Sequence, residues 1–91
     1  MSRYTTPRHS VYMSFQKNRS WQVQFLEPDL RTPLPRTFSF AHADKIRELA
    51  RRGEALGNLE AKQALESAIE NGRGGIYLRL SAEQYTKLKR P

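Results

Sequence analysis

Apolar and polar residues alternate along two stretches in the first third of the chain. The apolar members fall at every second position: Val11, Met13 and Phe15, and then Trp21, Val23 and Phe25. A period of two is typical of a strand with one buried face. Four polar residues, 17–20, separate the two stretches, so the pattern predicts an antiparallel hairpin.

The segment that follows, residues 27–36, contains three prolines. Proline has no backbone N–H to donate and restricts the residue before it, so this segment is predicted to be a connecting loop. Residues 37–40 then fit a short strand with Phe38 and Phe40 facing inward.

A helical period begins after His42. Its apolar positions are Ala43, Ile46, Leu49 and Ala50. Asp44 in the first turn, and Arg51 and Arg52 in the last turn before Gly53, suit the helix dipole and a glycine stop. Glu48 and Arg52 are expected to pair across one turn.

A second helix is predicted from an Asn58 cap to the Asn-Gly pair at 71–72. Its apolar stripe consists of Ala61, Ala64, Leu65, Ala68 and Ile69. The small alanine side chains indicate close packing against a neighbouring element.

The last part of the chain predicts one strand and one short helix. Residues 75–80 alternate again, with Ile76, Leu78 and Leu80 on the inner side and Tyr77 and Arg79 on the outer side. Ser81 and Gln84 have the spacing of a capping box at the start of a helix. That helix would turn Tyr85 and Leu88 inward.

These elements predict a single α+β domain over residues 11–91, preceded by a flexible basic arm at 1–10. A small antiparallel sheet, made of the N-terminal hairpin and the late strand, would pack on two to three helices in the order β-β-(β)-α-α-β-α.

Charge changes this picture, because the net +7 is concentrated at the two ends of the sequence. Residues 1–26 contribute +4 and residues 71–91 another +4, whereas residues 27–70 sum to −1. If the late strand pairs beside the hairpin, the basic ends come together. A concentrated positive field attracts nucleic acid, an anionic membrane surface or an acidic protein.

Several classes of chemistry have no support in the sequence. There is no cysteine, and the two histidines, His9 and His42, stand apart from one another, so no metal or cofactor is expected. His42 is the only plausible acid-base residue of an enzyme, with a helix cap or a pH-sensitive contact as its simpler roles. No apolar stretch is long enough for a bilayer span, so we expect a cytoplasmic protein that is not embedded in a membrane.

The segment from Gly72 to Gly75 has two interpretations. Three glycines around Arg73 would let backbone N–H groups converge on a phosphate. The simpler interpretation is a helix end followed by a tight turn into a strand.

The outer face of the strands suggests a function. It combines tyrosine rings, amides and a guanidinium, which suits stacking on bases and hydrogen bonding to their edges. We therefore expect a non-enzymatic DNA- or RNA-binding module in which Tyr12, Tyr77 and Arg79 meet bases. The expected phosphate contacts are Lys17, Arg19, Arg73, Lys87, Lys89 and Arg90.

The alternative is a protein-interaction accessory, such as an adaptor, inhibitor or subunit. Its basic surface would dock on an acidic protein, or its free sheet edge would pair with another chain, which includes a second copy as a homodimer.

Residues 76–89 also carry a local resemblance. This segment of 14 residues is similar to the opening strand and first helix of ribbon-helix-helix DNA-binding proteins. The resemblance implies that Tyr77 and Arg79 would face a DNA groove. No second helix is expected after Pro91, so the family is not assigned.

Overall fold

The computed structural model describes residues 9–53 and 59–90. The predicted Asn58 cap and most of the predicted arm, residues 1–8, lie outside the described residues. Within them the chain forms four strands and three helices. The strands are β1 (Ser10–Asn18), β2 (Ser20–Leu26), β3 (Pro33–Phe40) and β4 (Arg73–Arg79), and the helices are α1 (Asp44–Arg52), α2 (Leu59–Asn71) and α3 (Ala82–Lys89).

The four strands form one antiparallel sheet with the order β3-β2-β1-β4. β1 and β2 make the predicted hairpin, and Arg19 turns the chain in a left-handed conformation at φ 73°. The late strand, β4, pairs with β1, and Ser10 lies opposite Arg79. The predicted α+β class and element order are confirmed, and the short third strand is present.

The third strand is longer than predicted, because β3 begins at Pro33 inside the expected loop. β3 is at the edge of the sheet, where a proline does not remove a hydrogen bond from a central ladder. The pairing with β2 is irregular between Gln24 and Leu26, which accommodates the extra β3 residues. This extension brings Leu34 into the core, where only 4% of its surface is exposed.

One face of the sheet forms the core, as the alternation predicted. All nine inward-facing residues of the hairpin and the late strand are buried: Val11, Met13, Phe15, Trp21, Val23, Phe25, Ile76, Leu78 and Leu80. Phe38 and Phe40 pack against them from β3. Ile46 and Ala50 of α1, Leu65 of α2 and Leu88 of α3 cover this face from the helical layer.

The helix ends follow local chemistry with one exception. α1 starts after Ala43, which makes no side-chain cap hydrogen bond, so His42 is not the cap. Glu48 and Arg52 pair at 3.3 Å, as expected. α3 begins with the predicted capping box, in which Gln84 N–H donates to Ser81 Oγ and Ser81 N–H donates to Gln84 Oε1.

α2 packs closely against β4 at a pair of small residues. A Cβ atom on Gly74 would overlap the Cβ of Ala68, so this position has no space for a side chain. The close packing expected of the α2 alanines is therefore found at Ala68, whereas Ala64 is exposed.

Across the described ranges, no helix combines the length and the apolar character needed to cross a bilayer.

Candidate nucleic-acid interface

The face of the sheet opposite the helices is polar and solvent-exposed; we call it the open face. It presents alternate residues of every strand, among them Tyr12, Ser14, Gln16, Gln22, Gln24, Thr37, Ser39, Arg73, Tyr77 and Arg79. None of the four described strands contains an aspartate or a glutamate, so every charged side chain within them is basic. The open face is therefore suited to a polyanion.

Two tyrosines form an aromatic pair on this face. Tyr12 and Tyr77 lie opposite each other on β1 and β4, and their ring centroids are 4.9 Å apart in an edge-on arrangement. Tyr77 is 55% exposed. The phenol of Tyr12 lies over Gly75, where a Cβ atom would come within 2.5 Å of the Tyr12 oxygen. The glycine thus lets Tyr12 lie along the sheet beside the exposed Tyr77 ring.

Two arginines flank this pair along β4. Arg73 begins the strand and Arg79 ends it, and both share the face of Tyr77. Six residues of extended chain span about 20 Å, which sets the separation of the two arginine backbones. Positive charge is therefore placed at both ends of the open face.

Lys17 and Arg19 lie at the end of the sheet where Arg73 starts. The Lys17 N–H donates to the carbonyl of Gly72 at 2.7 Å, which ties the hairpin turn to the start of β4. The Lys17 side chain, however, is on the same side of the sheet as Phe15, which is the core side, and its Nζ lies 5.9 Å from the centre of the Trp21 ring. These cations border the open face at its end.

Lys87, Lys89 and Arg90 occupy a different layer. α3 packs on the core side of the sheet through Leu88, and the Nζ of Lys89 lies 5.3 Å from the centre of the Tyr85 ring. The predicted site residues therefore separate into two groups. Tyr12, Arg73, Tyr77 and Arg79 share the open face, Lys17 and Arg19 border it, and the three basic residues at 87–90 belong to the helical side.

The glycine segment has structural roles at each position. Gly72 has φ 82° and its N–H donates to the carbonyl of Ile69, which closes the end of α2. Gly74 and Gly75 are already within β4, beneath Ala68 and Tyr12 respectively. The described geometry thus accounts for these glycines through a helix end, a turn and two close contacts.

A cleft of about 390 Å³ at the other end of the sheet contains a cluster that the sequence did not indicate. The Tyr85 hydroxyl donates to the Glu27 carboxylate at 2.8 Å, and the His9 ring lies 5.1 Å from the Tyr85 ring. Burial, and then Glu27, raise the pKa of Tyr85. Backbone N–H groups of Arg31 and Thr32 lower the pKa of Asp29, which also lines this cleft.

This cluster joins residues that are far apart in the sequence, and the pairing of the strands together with the packing of α3 brings them into contact. His42 is exposed and does not belong to it. Among the described residues, no group of three histidines or carboxylates is placed to hold a metal ion.

Comparison of the chain with protein-family models, with curated proteins and with solved structures finds no match. The described part of the chain is an α+β domain in which helices cover one face of the sheet and the other face is open.

Proposed function

We propose that this protein is a small, non-enzymatic nucleic-acid-binding module that uses the open face of its sheet. The observation that carries the proposal is the Tyr12–Tyr77 pair, placed between Arg73 and Arg79 on a sheet without acidic residues. Rings offer stacking surfaces to bases, and guanidinium groups bind phosphates or base edges.

Stacking on the exposed tyrosine supplies the base contact. Sheets that bind single strands use surface aromatic residues to stack two or three bases. Tyr77 is exposed enough to receive a base, and Tyr12 supports its ring from the side. Unpaired bases expose their faces, whereas a duplex stacks them internally, so single strands are the expected ligand.

Phosphate contacts come from both ends of the open face. Arg73, with Lys17 and Arg19 beside it, serves one end, and Arg79 serves the other. The basic residues of α3 add to the overall field that attracts a polyanion without touching the strand on the open face. We expect the module to act in the cytoplasm.

Titration of the purified protein with labelled single- and double-stranded DNA and RNA at several salt concentrations tests the proposal. We expect binding to single strands that weakens steeply as salt rises. Tyr77→Ala should weaken it by about 5- to 160-fold, because one lost base stack costs about 1–3 kcal/mol. The proposal fails if no nucleic acid binds at low salt, or if binding has no salt dependence.

A charge-matched pair of double variants separates local contacts from net charge. Arg73→Gln with Arg79→Gln removes two positive charges from the open face, and Arg51→Gln with Arg52→Gln removes two from α1. Each lost phosphate contact lowers the salt slope by about 0.7 for a single strand, so the first variant should lose about 1.4 and the second nearly nothing. If both double variants lowered the salt slope equally, the phosphate contacts would not be specific to the open face.

Lys87→Gln with Lys89→Gln is the third member of this set. It carries the same change in charge but lies on the helical side. We expect a small loss of affinity with the slope retained. If this variant lowered the salt slope as much as the Arg73 and Arg79 variant does, the interface would include α3.

A second candidate function rests on the free edge of β4. In the described part of the chain β4 pairs with β1 alone, and its seven residues include no proline, unlike the opposite edge strand β3 with Pro33 and Pro35. An unpaired strand edge without proline can pair with another chain. A homodimer seen by sedimentation, or a stoichiometric acidic protein in the purified sample, would favour this protein-interaction role. Copurified nucleic acid, seen as a raised 260/280 nm absorbance ratio, would favour the first.

A further inference from the structure

A shallow polar depression of about 370 Å³ lies on the open face beside the tyrosine pair. We call it the glutamine pocket; its polar lining consists of Ser14, Gln16, Gln22, Gln24 and Thr37. The strand register sets this arrangement, because Gln16 faces Gln22 and Ser14 faces Gln24 across the β1–β2 ladder. Among the described residues, none with a charged side chain lines the pocket, and Arg73 lies next to it as the cross-strand partner of Gln16.

The three glutamines of the pocket are held differently. Gln22 Nε2 donates to the hydroxyls of Ser20 and Ser39, at 2.8 and 3.2 Å, so its amide is fixed by the protein. The side chains of Gln16 and Gln24 make no hydrogen bond within residues 9–53 and 59–90. Two amides, each with a donor and an acceptor, are therefore available to a ligand.

The pocket continues directly from the tyrosines. Ser14 is two residues from Tyr12 on the same face of β1, about 7 Å along the strand. Its partner on β4 is Gly75, which has no side chain to separate Tyr12 from the pocket. A ligand lying along the sheet would pass from an aromatic surface to a neutral, amide-lined depression.

We propose that the glutamine pocket receives one unstacked base of a single-stranded nucleic acid, next to a base stacked on Tyr77, and that it prefers adenine. This inference rests on the proposed function. The neutral lining favours a base over a phosphate as the occupant, and Arg73 beside Gln16 is placed to meet the adjoining phosphate. A glutamine amide can accept from adenine N6 and donate to N7 at the same time, which is the usual pairing of this side chain with a base edge, so we take adenine as the occupant.

The test measures anisotropy of labelled eight-nucleotide single strands of A, C and T, and of the A, C and U ribose forms, for the full chain. The wild type should bind the adenine strands more tightly than the pyrimidine strands. Gln16→Ala with Gln24→Ala should weaken adenine binding by about tenfold and remove the preference, with an unchanged salt slope because no charge is altered. Gln63→Ala, on the exposed surface of α2, is the matched control and should change nothing.

Ser14→Leu, which fills the pocket, should likewise reduce binding of adenine strands to the level of pyrimidine strands. Circular dichroism of each variant checks that the fold is retained. If the wild type binds with a salt slope but neither the double variant nor Ser14→Leu alters base preference, the pocket inference is wrong and the proposed function stands. If the wild type binds no strand at low salt, the proposed function and this inference both fail.

Discussion

The hydroxyl of Tyr85 donates a hydrogen bond of 2.8 Å to the carboxylate of Glu27, a residue 58 positions earlier in the chain. Tyr85 belongs to α3, and Glu27 follows the last residue of β2. The contact therefore ties the final helix to one end of the sheet. It lies in the cleft opposite the hairpin turn, away from the glutamine pocket.

Removing this hydroxyl should destabilise the fold. Tyr85→Phe keeps the ring contacts with His9 and Lys89 and deletes only the donor. A hydrogen bond to a charged acceptor contributes about 1.5–3 kcal/mol, so we expect a loss of about 1–2 kcal/mol at this partly buried site in urea unfolding at pH 7. Tyr77→Phe, on the exposed face, should leave the free energy of unfolding unchanged.

The same pair predicts a stability change at high pH. Because the pKa of Tyr85 is raised in the folded protein, the unfolded chain loses this proton first as pH rises. The contribution of Tyr85 to the free energy of unfolding is complete below about pH 10, which is the pKa of tyrosine in an unfolded chain, and it declines above that pH. Unfolding free energies from pH 8 to 11 should therefore show the wild type and Tyr85→Phe converging. A constant difference across this range would show that the hydroxyl is not the titrating group.

The ion pair between α1 and α2 predicts the opposite dependence. Arg47 Nε and Nη2 donate to both oxygens of Glu66, at 2.8 and 3.0 Å, and the hydrogen bond from Arg47 lowers the pKa of Glu66. As pH falls, the unfolded chain therefore binds the proton first, so the stabilisation is complete at neutral pH and disappears through the acid range. Both side chains are partly exposed, and a contribution of about 0.2–1 kcal/mol is expected.

A double-mutant cycle with Arg47→Met and Glu66→Gln measures this coupling directly. The coupling free energy should be present at pH 7 and should decrease as the pH falls through the acid range, as measured by urea unfolding at a series of pH values. The cycle of Arg31→Met with Glu66→Gln serves as a control, since Arg31 is exposed and is not among the groups that shift the pKa of Glu66. A coupling free energy that does not change with pH would contradict the assignment.

Much of the fold was predictable because its signals are local. The alternation from Val11 to Phe25 defines the hairpin and its buried face, and the Ser81 and Gln84 pair defines the start of α3. The start of β3 was not predictable in the same way. Pro35, inside β3, is acceptable because β3 is an edge strand, and the position of β3 in the sheet depends on contacts with β2 that the local sequence does not encode.

The candidate interface was only partly predictable for a related reason. Residue parity along the strands places Tyr12 and Tyr77 on one face, but their contact depends on the register between β1 and β4. Charge counting groups Lys17 with Lys87 because both lie near an end of the sequence. The fold puts them in different places, one at the hairpin turn and the other on α3.

The contact between Gly74 of β4 and Ala68 of α2 predicts how substitutions in β4 change the free energy of unfolding. Gly74→Ala places a Cβ atom against the Cβ of Ala68, where a helix and a strand meet and neither backbone can move easily. Overpacking of this kind costs about 1–3 kcal/mol, and we expect a value near the upper end in urea unfolding.

Gly75→Ala is the matched control, because the atoms in its way belong to the end of the Tyr12 side chain, which can rotate aside. It should cost less stability yet weaken binding by displacing Tyr12. Adding Ala68→Gly to Gly74→Ala should recover part of the loss, although glycine in a helix itself costs about 1 kcal/mol. If Gly74→Ala were as stable as the wild type, α2 would not pack against β4 at this point, and the support for the open face would have to come from elsewhere.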